Sequence, residues 1–421
     1  MTGGQFSLAI SDLHASGTGV AHHPDFGHVY VPFAFPGETV DVEITGEARA
    51  GQWNARRLNI PQHCAHAADC GGCLWPGAPY DAQLEWKKTL LMRAARALPE
   101  ITTAPVTLYG DDRILGTRSR VHLHANFFRG KLNFGFYARA SRRLVPVADC
   151  PVAETPVRTA LHSLAVLRDH AFENMPNFGF GIEIDTTPAF VLYGMPERRA
   201  ELAAFAEMLQ NHAAPCRAFV AFTADAPLTV HERVGNLTLY SKPGCFQQVN
   251  RRQSRVIREI IGTEIARLRP RILFDLYSGA GNYSLPFHRD VGQIFGADDN
   301  PAGIAVAVEN VQCNGILNAT YCCADAGAVL ENPAVYGWPR AADFVVIDPA
   351  RWGMSKSVLA ALPRLKSRKI IYISNHTASF VRDARDLLRL GMKIEALHLV
   401  DFFPFTPLLD IVSLWNTPDS V

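Results

Sequence analysis

The chain has 421 residues, of which 48% are hydrophobic and 19% are charged, and its formal net charge at pH 7 is +1. This length exceeds what one hydrophobic core usually organises, so we expect about three domains. The small net charge argues against a protein that coats nucleic acid, although a local basic groove is compatible with it. Neither a signal peptide nor an apolar run of roughly 18 residues is visible, so we expect a cytoplasmic protein without membrane spans.

The N-terminal segment predicts a succession of short β-strands without helices. Gly, Pro and Asp residues separate five apolar-polar stretches, which are FSLAISDL, GVAHH, HVYVPFAF, ETVDVEITG and GQWNARRLNI. About 60 residues with this pattern are typical of a small antiparallel β-barrel. We therefore predict a barrel domain over residues 1–60.

Residues 61–240 predict a mixed α+β domain. A helix with one apolar and one basic face is expected from about Tyr80 to Ala97. Strands dominate from 104 to 240, and two further helices are expected near 155–169 and 198–210. From residue 241 onward, helices alternate with buried strands such as RILFDLYSG, QIFGADD, ADFVVIDPA and KIIYIS. This alternation predicts a doubly wound parallel sheet over residues 241–421.

Four of the nine cysteines are spaced like metal ligands. Cys64, Cys70 and Cys73 are clustered in QHCAHAADCGGC, and Cys150 follows much later in VADCPV. Three clustered thiols and a remote fourth can surround one metal centre, and the asymmetric spacing suits a [4Fe–4S] cluster. A structural zinc site and plain buried cysteines are the alternatives. The odd cysteine count and this spacing favour a reducing compartment over a disulfide scaffold.

Acidic residues follow successive strands of the predicted sheet. The first strand ends in Asp275. Gly279 and Gly281 follow it, where backbone amides can approach a ligand, but the third glycine of the dinucleotide fingerprint is missing. Asp298 ends the next strand, where a carboxylate can bind ribose hydroxyls. Asp325 ends the strand after it, where it can meet an adenine amino group. Each acid could instead cap a helix, but the set favours S-adenosylmethionine.

A further acid follows the strand FVVI. Asp348 and Pro349 come directly after it, and Asp348 either projects a carboxylate into the cleft or caps a helix. Arg351, two residues after Pro349, is a candidate phosphate ligand.

Together these segments resemble the RNA uracil-C5 methyltransferase family, over nearly the whole chain. CGGCLWPGAPYDAQLEWKK is similar to the family's cluster motif, FQQVN (246–250) to its cofactor motif and LYSGAGNY to its Gly-x-Gly-Asn loop. The resemblance implies a class I, S-adenosylmethionine-dependent, Rossmann-like C-terminal domain, an OB-like TRAM barrel that binds RNA, and a [4Fe–4S] cluster. It implies cofactor contacts at Gln248, Tyr277, Gly279, Gly281, Asn282, Asp298, Asp325 and Asp348.

The resemblance also carries a mechanism, and this chain departs from it. In the family, a cysteine thiolate adds to uracil C6, C5 then attacks the methyl group, and a glutamate removes the C5 proton. In YISNHTASFVRD, Asn375 stands at the position of that cysteine, followed by His376, a candidate base. Asp410 stands at the position of the glutamate. An amide nitrogen is not a usable nucleophile, so the sequence predicts altered or lost chemistry.

Three functions stay open from the sequence. The first is a methyltransferase that acts directly on an already nucleophilic nitrogen or oxygen. The second is a non-catalytic RNA-binding protein that retains the cofactor fold, and the third is the ordinary uracil-C5 reaction through another residue, such as Cys322, Cys323 or Cys245. The expected partner is structured RNA, either rRNA or tRNA, bound by a monomer. Candidate RNA-binding residues are Arg118, Arg120, Arg142, Arg143 and Arg351, and solvated surface arginines are the alternative.

Overall fold

The computed structural model describes residues 4–49, 51–60, 64–172, 175–186, 189–212, 217–221, 228–242 and 245–418. It divides into two compact units. The first comprises Met1–Leu90, Arg113–Val220 and Phe403–Pro407, and the second comprises Leu91–Asp112, Ala221–Phe402 and Leu408–Val421. No helix within the described ranges combines the length and apolar character that a membrane crossing needs. The division into domains 1–60, 61–240 and 241–421 stays a prediction.

A closed five-stranded barrel forms the N-terminal part of the first unit. Its strands are β1 (Gln5–Leu13), β2 (Gly19–His23), β3 (Gly27–Val31), β4 (Thr39–Arg49) and β5 (Gln52–Arg57). They close in the order β1-β2-β3-β5-β4. Alternate residues point inward, as in β4, where Val40, Val42 and Ile44 are buried.

The barrel confirms the predicted β architecture but corrects its pairing. All neighbouring strands are antiparallel except β3 and β5, which run parallel. The reason is geometric, because strand directions cannot alternate all the way around a closed ring of five strands. At least one neighbouring pair must therefore be parallel.

The remainder of the first unit is a six-stranded sheet with two covering helices. Its elements are β7 (Arg120–Phe128), β8 (Lys131–Tyr137), β9 (Leu144–Pro146), α3 (Thr155–Val166), β10 (Phe178–Asp185), β11 (Ala189–Tyr193), α4 (Arg199–His212) and β12 (Arg217–Val220), preceded by α1 (Tyr80–Ala94), which extends into the second unit. The sheet order is β12-β11-β10-β7-β8-β9. Alternate residues of β7, such as Leu123 and Phe127, join Leu161 of α3 and Phe205 of α4 in one buried core. This is the mixed α+β arrangement that the sequence predicts.

The second unit is built on an eight-stranded sheet of order β17-β16-β15-β18-β19-β21-β20-β6. Its elements are α2 (Pro99–Thr102), β6 (Val106–Tyr109), the hairpin β13 (Thr229–Val234) and β14 (Leu237–Ser241), α5 (Arg251–Leu268), β15 (Ile272–Leu276), β16 (Gln293–Asp298), α6 (Pro301–Cys313), β17 (Ala319–Cys323), α7 (Ala326–Glu331), β18 (Phe344–Ile347), α8 (Lys356–Ala361), β19 (Lys369–Ser374), α9 (Thr377–Arg389), β20 (Lys393–Val400) and β21 (Asp410–Asn416).

Strand directions in this sheet define the position of the site. Strands β17, β16, β15, β18 and β19 are mutually parallel, and β21 is inserted antiparallel between β19 and β20. Every residue of β18 and β19 is buried, as expected for central strands covered on both faces. The predicted doubly wound sheet is therefore present, and the carboxyl ends of its parallel strands share one edge.

Candidate active site

The glycine loop lies at the carboxyl end of β15, the strand at the centre of the parallel set. Tyr277, Gly279 and Gly281 have positive φ angles of 64°, 50° and 82°. The backbone amide of Gly279 donates to Asp298 Oδ2 at 2.9 Å, so the loop is tied to the end of β16. The hydroxyl of Tyr277 accepts from the amide of Ser355 at 3.3 Å. The loop thus turns tightly and brings these side chains to one edge, as the sequence predicts.

Asp298 and Asp325 both make backbone hydrogen bonds at strand ends. Besides Gly279, Asp298 accepts from the amide of Asn300 at 2.8 Å. Asp325 caps α7, where it accepts from the amide of Ala328 at 2.9 Å. The helix-capping alternative is thus realised for Asp325, whose side chain is otherwise exposed. A contact of these carboxylates with ribose or adenine stays a prediction.

Asn282 belongs to a buried polar network. The guanidinium of Arg258 donates to Asn282 Oδ1 at 2.8 Å and pairs with Glu232 at 2.6 Å. The amide of Asn282 donates to Ser254 Oγ at 3.2 Å. This network holds the glycine loop against α5. Gln248 lies half-buried just before α5, whose first turn is capped by Asn250.

Three aspartates add negative charge around a fourth, Asp348, which directly follows β18. Desolvation holds the pKa of Asp348 well above its ordinary value, and the nearby negative charges raise it further. These charges belong to Asp410, Asp275 and Asp298, in order of effect. Like charges this close favour either protonation or a bound cation.

Asp275, the acid that the sequence places at the end of the first strand, is buried, and Tyr283 is a residue beside the site that the sequence reasoning missed. Asp275 is 1% exposed within β15, and burial raises its pKa to about 7 despite a hydrogen bond from Ser284. Tyr283 is buried behind the glycine loop, and burial together with Asp348 and Asp410 raises its pKa well above the ordinary value.

Asn375 and Asp410 meet at the end of β19. Ser374 lies opposite Ile411 in the antiparallel ladder of β19 and β21, so the next pair outward is Asn375 and Asp410. Asp410 is 6% exposed. The Oδ1 atom of Asn375 is buried and has no hydrogen-bond partner among the described residues. The register of the ladder therefore places the candidate catalytic residues Asn375 and Asp410 next to each other.

His376 has a structural role in this geometry. It is the N-cap residue of α9, where Nδ1 accepts from the amide of Ser379 at 3.3 Å and lies 2.9 Å from its hydroxyl. That hydroxyl donates to the carbonyl oxygen of Arg351 at 2.5 Å. The loop after β18 is thereby fastened to the start of α9, and only the second ring nitrogen of His376 is left for proton transfer. The Arg351 side chain itself is exposed.

The four ligand-spaced cysteines lie in the first unit and influence one another's ionisation. Burial raises the pKa of Cys70 and Cys150 and that of Cys73 to about 12, and neighbouring thiols, including Cys64, raise these values further. The amide of Gly71 donates to the carbonyl oxygen of Tyr137 at 2.9 Å. Within the described residues, however, no three His, Cys, Asp or Glu side chains are arranged as a metal site. The donor chemistry fits a thiolate-bound metal, and the ligand set stays a prediction.

The candidate RNA-binding arginines differ in how far their charges are compensated. Arg120 is largely buried and pairs with Glu183 at 3.1 Å and Asp185 at 3.9 Å. Exposed Arg143 pairs with Asp69 at 2.9 Å.

The other two candidates in the first unit have aromatic neighbours. Arg118 lies 5.5 Å over the Phe403 ring. Arg142 lines an open cleft of about 760 Å³ together with exposed Phe128 and Lys131. Of these residues, Arg142 has the surroundings most suited to nucleic acid.

Strand order and site define a class of protein. The fold matches the Pyrococcus abyssi tRNA (uracil-54, C5)-methyltransferase in complex with S-adenosyl-L-homocysteine, with a TM-score of 0.70 and 20% identity over 97% of this chain and 100% of that chain. The chain therefore has a Rossmann-like methyltransferase fold, accompanied by a closed five-stranded barrel.

Sequence comparison adds relatives of similar length. The 23S rRNA (uracil(1939)-C(5))-methyltransferase RlmD of Shewanella halifaxensis is 27% identical over 98% of this chain and 96% of that protein. The enzyme of the same name from Shewanella sp. (strain ANA-3) is 28% identical over 97% of this chain and 95% of that protein. No protein-family model matches the chain.

Proposed function

We propose that this protein is an S-adenosylmethionine-dependent RNA methyltransferase that transfers the methyl group directly to a nucleophilic nitrogen or oxygen of RNA. Relatives named as rRNA uracil-C5 methyltransferases and the fold shared with a tRNA methyltransferase support the RNA and cofactor classes. The feature that supports the altered chemistry is the register of β19 and β21, in which Ser374 pairs with Ile411, so that Asn375 and Asp410 are the next residues beyond this pair. The barrel (1–60) is proposed to bind RNA, 61–240 to carry the cysteines and 241–421 to bind the cofactor.

The acidic edge of the sheet suits a cationic cofactor. S-adenosylmethionine supplies a methyl group on a positively charged sulfur. Desolvation and the neighbouring carboxylates raise the pKa of Asp348 and so disfavour its ionised form, which a bound cation would stabilise. The proposed cofactor-binding residues are Gln248, Tyr277, Gly279, Gly281, Asn282, Asp298, Asp325 and Asp348.

No thiol stands where a covalent adduct would form. Asn375 occupies that position, and its amide nitrogen is not nucleophilic. Cys322 and Cys323 end β17, which is separated from β19 by β16, β15 and β18. Four inter-strand spacings of about 4.8 Å place these two thiols about 19 Å away, which argues against Cys322 and Cys323 as relocated nucleophiles.

Direct transfer requires only a positioned acceptor and a base. Asp410, at the level of Asn375, is proposed as the base, with the second ring nitrogen of His376 as the alternative. The buried Oδ1 of Asn375 is suited to accept a hydrogen bond from an N–H group of the target base. Cys64, Cys70, Cys73 and Cys150 would hold an iron–sulfur cluster, or zinc, that supports the fold and takes part in no step.

The test is incubation of total RNA with labelled S-adenosylmethionine, followed by mass spectrometry of the nucleosides. Label in an N- or O-methylated nucleoside is expected. Label in 5-methyluridine would overturn the direct-transfer proposal. A second candidate, a non-catalytic RNA-binding protein, is favoured by the absence of a nucleophile at Asn375. It predicts RNA binding without label in any nucleoside.

A further inference from the structure

Two buried polar side chains hold the glycine loop, each from a different helix of the second unit. They are Arg258 of α5 and Asn310 of α6, which are 4% and 0% exposed. Both also contact the hairpin of β13 and β14, which belongs to the same unit but lies outside the eight-stranded sheet. We call these two side chains, together with Glu232 of the hairpin, the loop brace.

Arg258 links the glycine loop to β13. Its Nη1 atom donates to Asn282 Oδ1 at 2.8 Å and to Ser254 Oγ at 3.0 Å. Its Nη2 atom donates to Glu232 Oε1 at 2.6 Å, and the Glu232 side chain is 9% exposed. Breaking such a buried ion pair is costly, because the remaining charge keeps its desolvation penalty. The pair therefore fixes Asn282, and with it the glycine loop, against the hairpin.

Asn310 links the same loop to β14. Its Nδ2 atom donates to the carbonyl oxygens of Ala280 at 3.3 Å and Tyr240 at 3.2 Å, and its Oδ1 atom accepts from the amide of Tyr240 at 2.7 Å. One turn later, Asn314 exchanges the same two kinds of hydrogen bond with Thr238, at 2.9 and 2.8 Å. Two side-chain amides of α6 thus take the hydrogen bonds that a neighbouring strand would give β14, and the first of them also reaches the glycine loop.

The side-chain amide of Asn282 is bonded at both ends inside the protein. Its oxygen accepts from Arg258, and its Nδ2 atom donates to Ser254 Oγ at 3.2 Å. The orientation of this side chain is therefore set by α5. Glycine permits many backbone conformations, so a loop that contains Gly279 and Gly281 needs such side-chain bonds to keep one of them.

We propose that Arg258 and Asn310 are positioning residues of the cofactor site, which fix the glycine loop in the conformation that binds S-adenosylmethionine. Glu232 anchors Arg258, so the hairpin outside the parallel sheet contributes to cofactor binding through the loop. A loop that is already ordered loses less conformational entropy on binding, and a weakened brace should therefore weaken the affinity for the cofactor. This assignment rests on the proposed function in so far as that names S-adenosylmethionine.

The test measures the affinity of the full-length protein for S-adenosylmethionine by titration calorimetry. Arg258→Met removes the donors to Asn282 and Glu232 and is expected to weaken binding about tenfold. Arg258→Lys keeps the charge but loses the planar fork, so it should rescue part of the affinity and weaken binding only about threefold. Asn310→Leu, which removes the second link to the loop, should also weaken binding. Ile261→Ala is the matched control, because it destabilises α5 by removing a buried apolar side chain, and it should bind within about twofold of the unsubstituted chain.

A double-mutant cycle tests whether Arg258 acts through Asn282. Both single variants, Arg258→Met and Asn282→Ala, remove the same hydrogen bond between α5 and the loop. The double variant should therefore lose hardly more affinity for S-adenosylmethionine than the weaker-binding single variant, because coupled residues are not additive. Losses that multiply would overturn the proposal, since the two side chains would then act on the cofactor independently.

Hydrogen–deuterium exchange separates a loosened loop from a loosened fold. Residues 277–285 should exchange faster in Arg258→Met, while the central strands β18 and β19 exchange as in the unsubstituted chain. Unchanged affinity or unchanged loop exchange in folded Arg258→Met would overturn the proposal, and so would an equal loss of affinity in Ile261→Ala. If Arg258→Met fails to fold, Arg258→Lys and Asn310→Leu decide by the same criteria. Weaker cofactor binding in these variants, without any methylated nucleoside, would uphold the loop brace and refute only the proposed methyl transfer.

Discussion

The side chains of Asn375 and Asp410 decide which methyl-transfer mechanism we propose for this protein. In the proposed function, an amide stands at the position of the nucleophilic thiol, and an aspartate, one methylene shorter, stands at the position of the glutamate base. The two changes lie opposite each other at the end of β19. We infer that they are coupled, because a base positioned for C5 deprotonation has no task when no C6 adduct forms.

Introducing a thiol at position 375 and a glutamate carboxylate at position 410 should allow the covalent adduct with the uracil base to form. The double variant Asn375→Cys/Asp410→Glu is expected to form an adduct with RNA that contains 5-fluorouridine, since fluorine at C5 blocks the elimination step. Denaturing gel electrophoresis would show the adduct as a shifted band. Asn375→Ser/Asp410→Glu is the control without a thiol and should show none. An adduct formed by the unsubstituted chain would contradict the assignment, because some other thiol would then be reactive.

The buried carboxyl of Asp275 makes the stability depend on pH. Its folded pKa of about 7 lies above the ordinary aspartate value of 3.8, so the folded state binds the proton more tightly than the unfolded state. Its contribution is therefore complete below about pH 4 and is lost as the pH rises through 7. Asp275→Asn should gain stability relative to the unsubstituted chain over this window, by up to about 1.4 kcal/mol per pKa unit.

Urea denaturation at several pH values would measure this gain. Exposed Asp290→Asn provides the control, with a stability difference that should stay flat across the window. A constant difference between Asp275→Asn and the unsubstituted chain from pH 4 to 8 would show that Asp275 is not protonated in the folded state.

At the scale of elements, the glycine loop depends on backbone geometry. A Cβ atom at Gly281 would lie 2.7 Å from Leu285 and 2.8 Å from the hydroxyl of Tyr321, whereas one at Gly279 would meet nothing within 4 Å. Both glycines have positive φ. The loop therefore tolerates a side chain at position 279 far better than at position 281.

Alanine variants of Gly279 and Gly281 should separate the cost of the left-handed backbone from the cost of a steric clash with neighbouring side chains. Gly279→Ala is expected to cost about 1–2 kcal/mol for the left-handed backbone alone. Gly281→Ala should cost more and should also weaken S-adenosylmethionine binding, because the loop must shift. Differential scanning calorimetry and titration calorimetry would measure the two effects. Equal losses in both variants would contradict the role assigned to close packing at Gly281.

The start of α9 offers a test of whether His376 caps a helix or transfers a proton. Asparagine is a good N-cap residue but no base at neutral pH, so His376→Asn should preserve stability, whereas His376→Ala should lose about 1 kcal/mol. If His376 acts only as a cap, the asparagine variant should keep its methyl-transfer rate. A rate lost in both variants, with stability kept in the asparagine variant, would identify His376 as the base.

At the scale of the whole molecule, each unit carries its own chemistry. The first unit contains the four ligand-spaced cysteines, and the second contains the acidic edge of the parallel sheet. Metal binding is therefore expected to affect the stability of the first unit without taking part in methyl transfer.

Metal content of the purified protein would test this division. If an iron–sulfur cluster is bound, protein purified without oxygen should be brown and absorb near roughly 400 nm. If zinc is bound instead, the protein should be colourless. Cys73→Ser should lose the metal and melt at a lower temperature. Cys313→Ser, which alters an exposed thiol of α6, should retain the metal. Protein with neither metal would contradict the proposed ligand set.

The sequence by itself determined what local patterns can encode. Alternation over five short segments was enough for the barrel, and alternating helices and buried strands were enough for the doubly wound sheet. The glycine loop, the spaced cysteines and the missing thiol at Asn375 were equally visible, because each is a short motif.

Only the tertiary structure decided what depends on contacts between distant residues. Closure of a five-stranded ring makes β3 and β5 parallel, and the β19–β21 ladder sets Asn375 opposite Asp410. Burial raises the pKa of Asp275 and brings Tyr283 to the same site. The physical reason is that periodicity reports on neighbours along the chain, whereas desolvation and charge compensation depend on which segments pack together.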